Sequence, residues 1–196
     1  MTATIYIVPG FSTNPEGDCL GLRPYAQSLA AILPNLKIVS IAWNKLYPNW
    51  FADNRPSPPA HDDINILFSH SYGCAACKRA LDKSFPNINL AVWFDPVPRF
   101  WWWQFRFGPR WSFPITSDRN IQFYQYIDPW IDGYPFKEVI GRDLGYDVSK
   151  LGLHHSDVPG NSAVLRCLTS KIISQFSLAI PVGQNYNTLN MIPDGD

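Results

Sequence analysis

Ser71 stands at the centre of Ser69-His70-Ser71-Tyr72-Gly73, between a short apolar run, Ile64-Asn-Ile-Leu-Phe68, and a stretch with helical periodicity. A serine on a tight strand-to-helix turn is held clear of the chain, where its hydroxyl can attack an electrophile. Such a turn strains the backbone at the serine. It also demands small residues two positions to either side, because bulk there would strike neighbouring chain. Ser69 and Gly73 meet that demand. The helix that follows aims its first N–H groups and the positive end of its dipole at charge developing near the serine. Five such residues can also form an ordinary turn; the strand before them and the helix after them favour chemistry.

A serine hydroxyl is a poor nucleophile and needs a neutral imidazole to take its proton. The chain has four histidines. His61 precedes the elbow strand and reads as a surface residue. His70 adjoins the serine, but strand side chains alternate, so it points away and reads as packing or loop support. That leaves His154 and His155, in Leu151-Gly-Leu-His-His-Ser-Asp-Val-Pro-Gly160. Candidates for the acid that orients the imidazole are Asp95 in Phe94-Asp-Pro-Val97, Asp128 in Ile127-Asp-Pro129, and Asp132 behind them. Each aspartate could instead accept backbone N–H bonds in a turn.

Composition narrows the function classes. The 196 residues carry 16 Lys+Arg against 16 Asp+Glu, so the net charge is zero and the basic excess of a nucleic-acid binder is missing. That length suits one domain, 1–196, with a core that needs neither disulfide nor metal. Charged residues make up 16%, below the usual ~25%. Aromatics reach 15%, and the apolar fraction excludes disorder. No apolar run approaches ~18 residues, and no basic segment leads into an apolar stretch at the N-terminus. A cytoplasmic protein without a transmembrane segment is expected. Cys74 and Cys77 have redox spacing, but no second pair completes a metal site. On a helix they share a face with Leu81, so they read as small buried side chains.

The elements that must position these residues follow from punctuation and period. Ile5-Tyr-Ile-Val8 is a buried strand closed by Pro9-Gly10. Pro24 opens a helix that carries Tyr25, Leu29, Ile32 and Leu33 to Pro34. Lys37 to Trp43 is a second strand, and 44–63, with Pro48, Pro56, Pro58 and Pro59, a loop. Ile64–Phe68 is the third strand, with a helix to about Ser84 after the elbow. Asn89–Phe94 and Asn120–Ile127 are the fourth and fifth. Asn161 caps a last helix with Val164, Leu165, Leu168 and Ile172 on one side, and 177–196 reads as a surface tail. Strand–helix alternation with strands buried on both faces indicates an α/β fold with a mostly parallel sheet.

Over about residues 4 to 175 the chain resembles the α/β-hydrolase superfamily, in its small serine esterase and lipase style. The resemblance rests on a strand followed by Val8-Pro-Gly-Phe11, the Ser69–Gly73 elbow, a strand followed by Phe94-Asp-Pro-Val97, and a histidine ahead of the last helix. It implies a minimal version of the fold, with about five core strands and no separate cap domain. It also implies Ser71 as nucleophile, His155 as base ahead of His154, and Asp95 as acid ahead of Asp128. The N–H groups of Phe11 and Tyr72 would form the oxyanion hole. No metal or cofactor is implied. The expected activity is cleavage of carboxylic esters through an acyl-enzyme. Thioesterase, acyltransferase or amidase activity could run on the same residues, and a non-catalytic binding module is the rival from another class.

The stretch 97–117 directly follows Asp95 and holds Trp101, Trp102, Trp103 and Trp111, four of the eight tryptophans, with three arginines and no acid. Two readings stand. As a rim loop or lid, Trp101 to Trp103 would contact an apolar acyl or aromatic substrate part, or a lipid interface. As packing, the same rings would fill the space left by missing helices, with arginines stacked on them. The expected partner is a small-molecule or lipid-like ester, not nucleic acid.

Overall fold

Residues 2–10, 13–46, 50, 63–81, 88–97, 112–113, 120–125, 138–139 and 143–178 are described by the structure, a computed structural model. Their strands form where β-branched and aromatic residues run together. β1 (Ala3–Val8) and a later strand, Leu90–Phe94, are buried at every position, as strands covered on both faces must be. With β2 (Lys37–Ser40), β3 (Ile64–His70), β4 (Leu90–Phe94), β6 (Asn120–Tyr124) and β8 (Asp143–Asp147) the main sheet has the order β2-β1-β3-β4-β6-β8. Every pairing in it is parallel. β5 (Ser112–Phe113) and β7 (Glu138–Val139) form a separate parallel pair.

Helices cover both faces. α1 (Leu22–Ser28), its 3-10 continuation Leu29–Ala31, and α3 (Ser162–Phe176) share one core with Ile5, Ile66, Phe68, Phe94 and Phe123. α2 (Tyr72–Leu81) shares the other with Tyr6, Val8, Leu67 and Trp93, through Cys74, Cys77 and Ala80. The chain moves from β1 to β2 in one direction across the sheet and from β3 to β4 in the other. Right-handed crossovers place α1 and α2 on opposite faces for that reason. The order therefore reverses between β1 and β3, and a crevice outside the strand C-termini at such a switch point is where open α/β sheets take ligands.

On the α1/α3 face a row of aromatic rings runs from α1 across the sheet. Tyr25 stacks on Phe68 at 5.8 Å, Phe68 meets Phe94 edge-on at 6.0 Å, Phe94 stacks on Phe123 at 5.7 Å, and Phe123 on Tyr146 at 5.2 Å. Such pairs add to the burial of each ring.

Several expectations change in detail. The sheet has six strands where about five were expected. The added strand, β8, is short and polar (Asp143-Leu-Gly-Tyr-Asp147), which an edge tolerates because only β6 pairs with it. α1 starts at Leu22 rather than at Pro24, after a turn in which the Asp18 carboxylate accepts from the Gly21 N–H. The second strand stops at Ser40, and Trp43–Lys45 is a 3-10 turn in what read as strand end and loop. Asn161 caps α3 as expected, accepting from the Ala163 and Val164 N–H groups at 2.9 and 3.3 Å. Of the tail, Leu178 packs on the core rather than lying free on the surface, and 179–196 lie outside the described residues. Among the described residues no helix is long and apolar enough to cross a membrane.

Candidate active site

Ser71 follows the last residue of β3 with φ 54°, in the left-handed region that side chains other than glycine rarely adopt. Strain of this kind persists only where surroundings enforce it. Here the Ser71 N–H donates to Phe94 O at 3.0 Å, and the Ser71 carbonyl accepts from Cys74 N–H at 3.1 Å and Val97 N–H at 3.2 Å. Sterics complete the constraint. A Cβ on Gly73 would lie 2.3 Å from Val8 O and 2.6 Å from Pro9 O, so the end of β1 leaves room for hydrogen alone. Ser69, two residues ahead, is fully buried, its hydroxyl near Cys74 Sγ and Val92 O. Ser71 itself is 8% exposed, and its Oγ makes no hydrogen bond to any described residue.

Asp95 follows β4, also with positive φ, 42°. Its N–H donates to Phe123 O at 2.6 Å, which ties the turn to β6. The carboxylate is fully buried, and a buried charge must be paired. Gln125 supplies two donors, its backbone N–H to Oδ1 at 3.1 Å and its side-chain Nε2 to Oδ2 at 2.9 Å. His155 supplies the third, with Nδ1 2.6 Å from Oδ2. A carboxylate accepts, so Nδ1 carries the proton and the lone pair of a neutral His155 lies on Nε2. This is the tautomer a general base requires.

His70 is 3% exposed. Its Nε2 donates to the His155 carbonyl at 3.1 Å, and its ring lies 4.6 Å from the His155 ring at 34°. Burial, reinforced by the neighbouring His155, pushes the His70 imidazole down to about 3. The expectation that it supports a loop thus gains a particular partner, the backbone of His155. Its Nδ1 is buried and has no hydrogen-bond partner among the described residues.

The loop after β1 closes on the same place. A Cβ on Gly10 would lie 2.7 Å from Ser71 Cβ, 3.1 Å from its Oγ and 3.4 Å from His70 Nδ1. Further along, Cys19, Leu20 and Gly21 have φ 54°, 58° and 87°. Arg23 holds this turn, donating to Pro15 O at 2.7 Å, Gly17 O at 2.9 Å and Ser40 Oγ at 3.0 Å. The turn abuts the end of the His155 loop so closely that a Cβ on Gly160 would lie 2.9 Å from Leu20 O, and one on Gly21 3.0 Å from Gly160 Cα.

Of the residues singled out in the sequence, Asp95 and His155 are in direct contact, and Ser71 follows the strand between β1 and β4, directly after His70. Tyr72 begins α2, where an N–H has no acceptor within the helix; its ring meets Trp43 edge-on at 4.7 Å. His154 is exposed, in a turn where its N–H donates to Asp157 Oδ2 at 3.3 Å. Phe11, His61, Trp101, Trp102, Trp103, Asp128 and Asp132 lie outside the described residues. Cys74 and Cys77 are buried free thiols, pushed up by burial and so poorly suited to redox work. Sequence reasoning did not single out Gln125 or Gly10. A glutamine closing an apolar strand was a weak signal for the first, and a Pro-Gly read only as a turn concealed the second. The chain matches no protein-family model and no curated protein.

Proposed function

We propose that the protein is a serine hydrolase of the α/β-hydrolase type that cleaves carboxylic esters, with Ser71 as nucleophile, His155 as base and Asp95 as the acid that orients it. The observation that carries this reading is the 2.6 Å contact between His155 Nδ1 and the buried Asp95 carboxylate, beside a left-handed Ser71, at the C-terminal edge of a parallel sheet. Nucleophile, acid and base come in the chain order usual for that fold. Ser71 Oγ attacks the acyl carbon while His155 Nε2 takes its proton, and Asp95 stabilises the imidazolium. The Tyr72 N–H, with the Phe11 N–H as its proposed partner, receives the oxyanion. The proton passes from His155 to the leaving alcohol, and water, activated by the same imidazole, releases the acid. Trp101, Trp102 and Trp103 remain the proposed contacts for an apolar substrate part or a lipid interface.

Catalytic hydrogen bonds are often long in ligand-free enzymes, and Ser71 Oγ is expected to meet His155 Nε2 when substrate is bound. That Ser71 Oγ has no hydrogen bond among the described residues also favours a second reading, a non-catalytic module on the same fold. One experiment separates the two. A fluorophosphonate probe should form a single adduct on Ser71, and p-nitrophenyl esters should turn over. Ser71→Ala should abolish the adduct and cut turnover by about 1,000-fold or more with the circular dichroism spectrum unchanged. An alanine variant with wild-type turnover overturns the assignment, and a wild-type protein inert to both reagents, with detergent as without, leaves the binding module.

A further inference from the structure

His70 is buried beside the proposed base and has no part in the steps above. Keeping an imidazole there is costly: Nδ1 is sequestered with no partner among the described residues, and an unsatisfied buried polar atom costs ~1–3 kcal/mol. An apolar side chain of similar size would avoid that penalty. What the imidazole supplies, and an apolar group cannot, is the Nε2–H bond to the His155 carbonyl at 3.1 Å.

The proposed base needs such a hold. His155 lies on a turn, 13% exposed, and its bond to Asp95 joins one ring nitrogen to one oxygen. That bond fixes one ring nitrogen; presenting Nε2 to a serine hydroxyl also requires the ring plane and the backbone behind it to be fixed. His70 acts at two further points, the backbone through the carbonyl and the ring face through the 4.6 Å contact. Resting on the hydrolase reading above, we infer that His70 is a positioning residue for the base: its Nε2–H and ring face fix the His155 backbone and ring plane, so that His155 Nε2 is presented to Ser71. Burial keeps the His70 ring uncharged, so it does not repel the imidazolium that forms on His155 during attack.

The test compares wild-type, His70→Gln and His70→Phe proteins in p-nitrophenyl ester hydrolysis and in the rate of fluorophosphonate labelling. Phenylalanine keeps a ring but loses the donor, whereas glutamine places an amide N–H near the Nε2 position. H70F is expected to lose about 10- to 100-fold in kcat and in labelling rate, with KM within about twofold, because misplacing a base slows proton transfer without weakening binding. H70Q should recover most of that loss. Equal losses in H70F and H70Q, a change in KM alone, or wild-type rates in H70F overturn the inference. Should H70F fail to fold, ¹⁵N-histidine NMR of the wild-type protein decides: His70 must be the neutral, Nε2-protonated tautomer near pH 7, and an Nδ1-protonated ring overturns it. A wild-type protein that neither labels nor turns over overturns the hydrolase reading and this inference with it. Active wild-type protein with an unaffected H70F overturns this inference alone.

Discussion

A buried neutral imidazole makes stability depend on pH. His70 titrates near 3 in the folded chain, because of its burial and then of His155, and near 6.5 when unfolded. Between those values the unfolded chain binds a proton that the folded chain does not, so stability rises with pH across that window. Above about 6.5 neither state is protonated at His70 and the term vanishes. Urea midpoints should therefore fall as pH is lowered from 7 to 4, and less steeply in H70Q. Parallel slopes in the two proteins would show that His70 is not the group responsible. This property was not legible in the sequence, where strand alternation turned His70 away from Ser71 and left its partner undefined. The partner, His155 O, comes from a loop 85 residues further along the chain. Gln125 was hidden for the same reason: its role exists only once β4 and β6 pair and bring its two donors to Asp95. The elbow was legible, since its requirements at Ser69 and Gly73 are steric and local.

Elements with strong apolar runs or clear caps read well: β1, β3, β4, the helix after Ser71, and α3 behind Asn161. β8 did not, because an edge strand needs neither period nor bulk, and the 3-10 turn at Trp43–Lys45 carries no marking residue. The approach of the β1 loop to the elbow was equally invisible, although it governs the site. Gly10 is pressed against Ser71 so tightly that a methyl group must push one loop or the other aside. Gly10→Ala is expected to cost about 100-fold in kcat through displacement of the serine, and ~1–3 kcal/mol in urea unfolding as an overpacked contact. Full activity in that variant would mean that β1 does not constrain the nucleophile. Gly73→Ala would be harsher, since its Cβ meets backbone oxygens on a buried strand rather than a side chain.

The molecule as a whole gathers its proposed chemistry by topology. Because all strands of the main sheet run parallel, the residues that follow β1, β3 and β4 leave the same edge, where the order reverses between β1 and β3 and where open α/β sheets generally take ligands. The row of rings from Tyr25 to Tyr146 underlies that edge and ties neighbouring strands together through side chains as well as through the hydrogen-bond ladder. One contact joins parts of the chain that no strand pairing links. The left-handed turn Cys19-Leu20-Gly21 and the end of the His155 loop meet at Gly160 with no room for a side chain. Two loops packed this closely are expected to open together. In hydrogen exchange the Gly17 and Asp157 amides, each bonded within its own turn, should open with the same free energy to within ~0.5 kcal/mol, and Gly160→Ala should speed both. Independent protection of the two would break the coupling. If they open as one, loosening the segment after the first strand also loosens the proposed base, and slow fluctuations at the N-terminal end of the chain set how often the site is assembled.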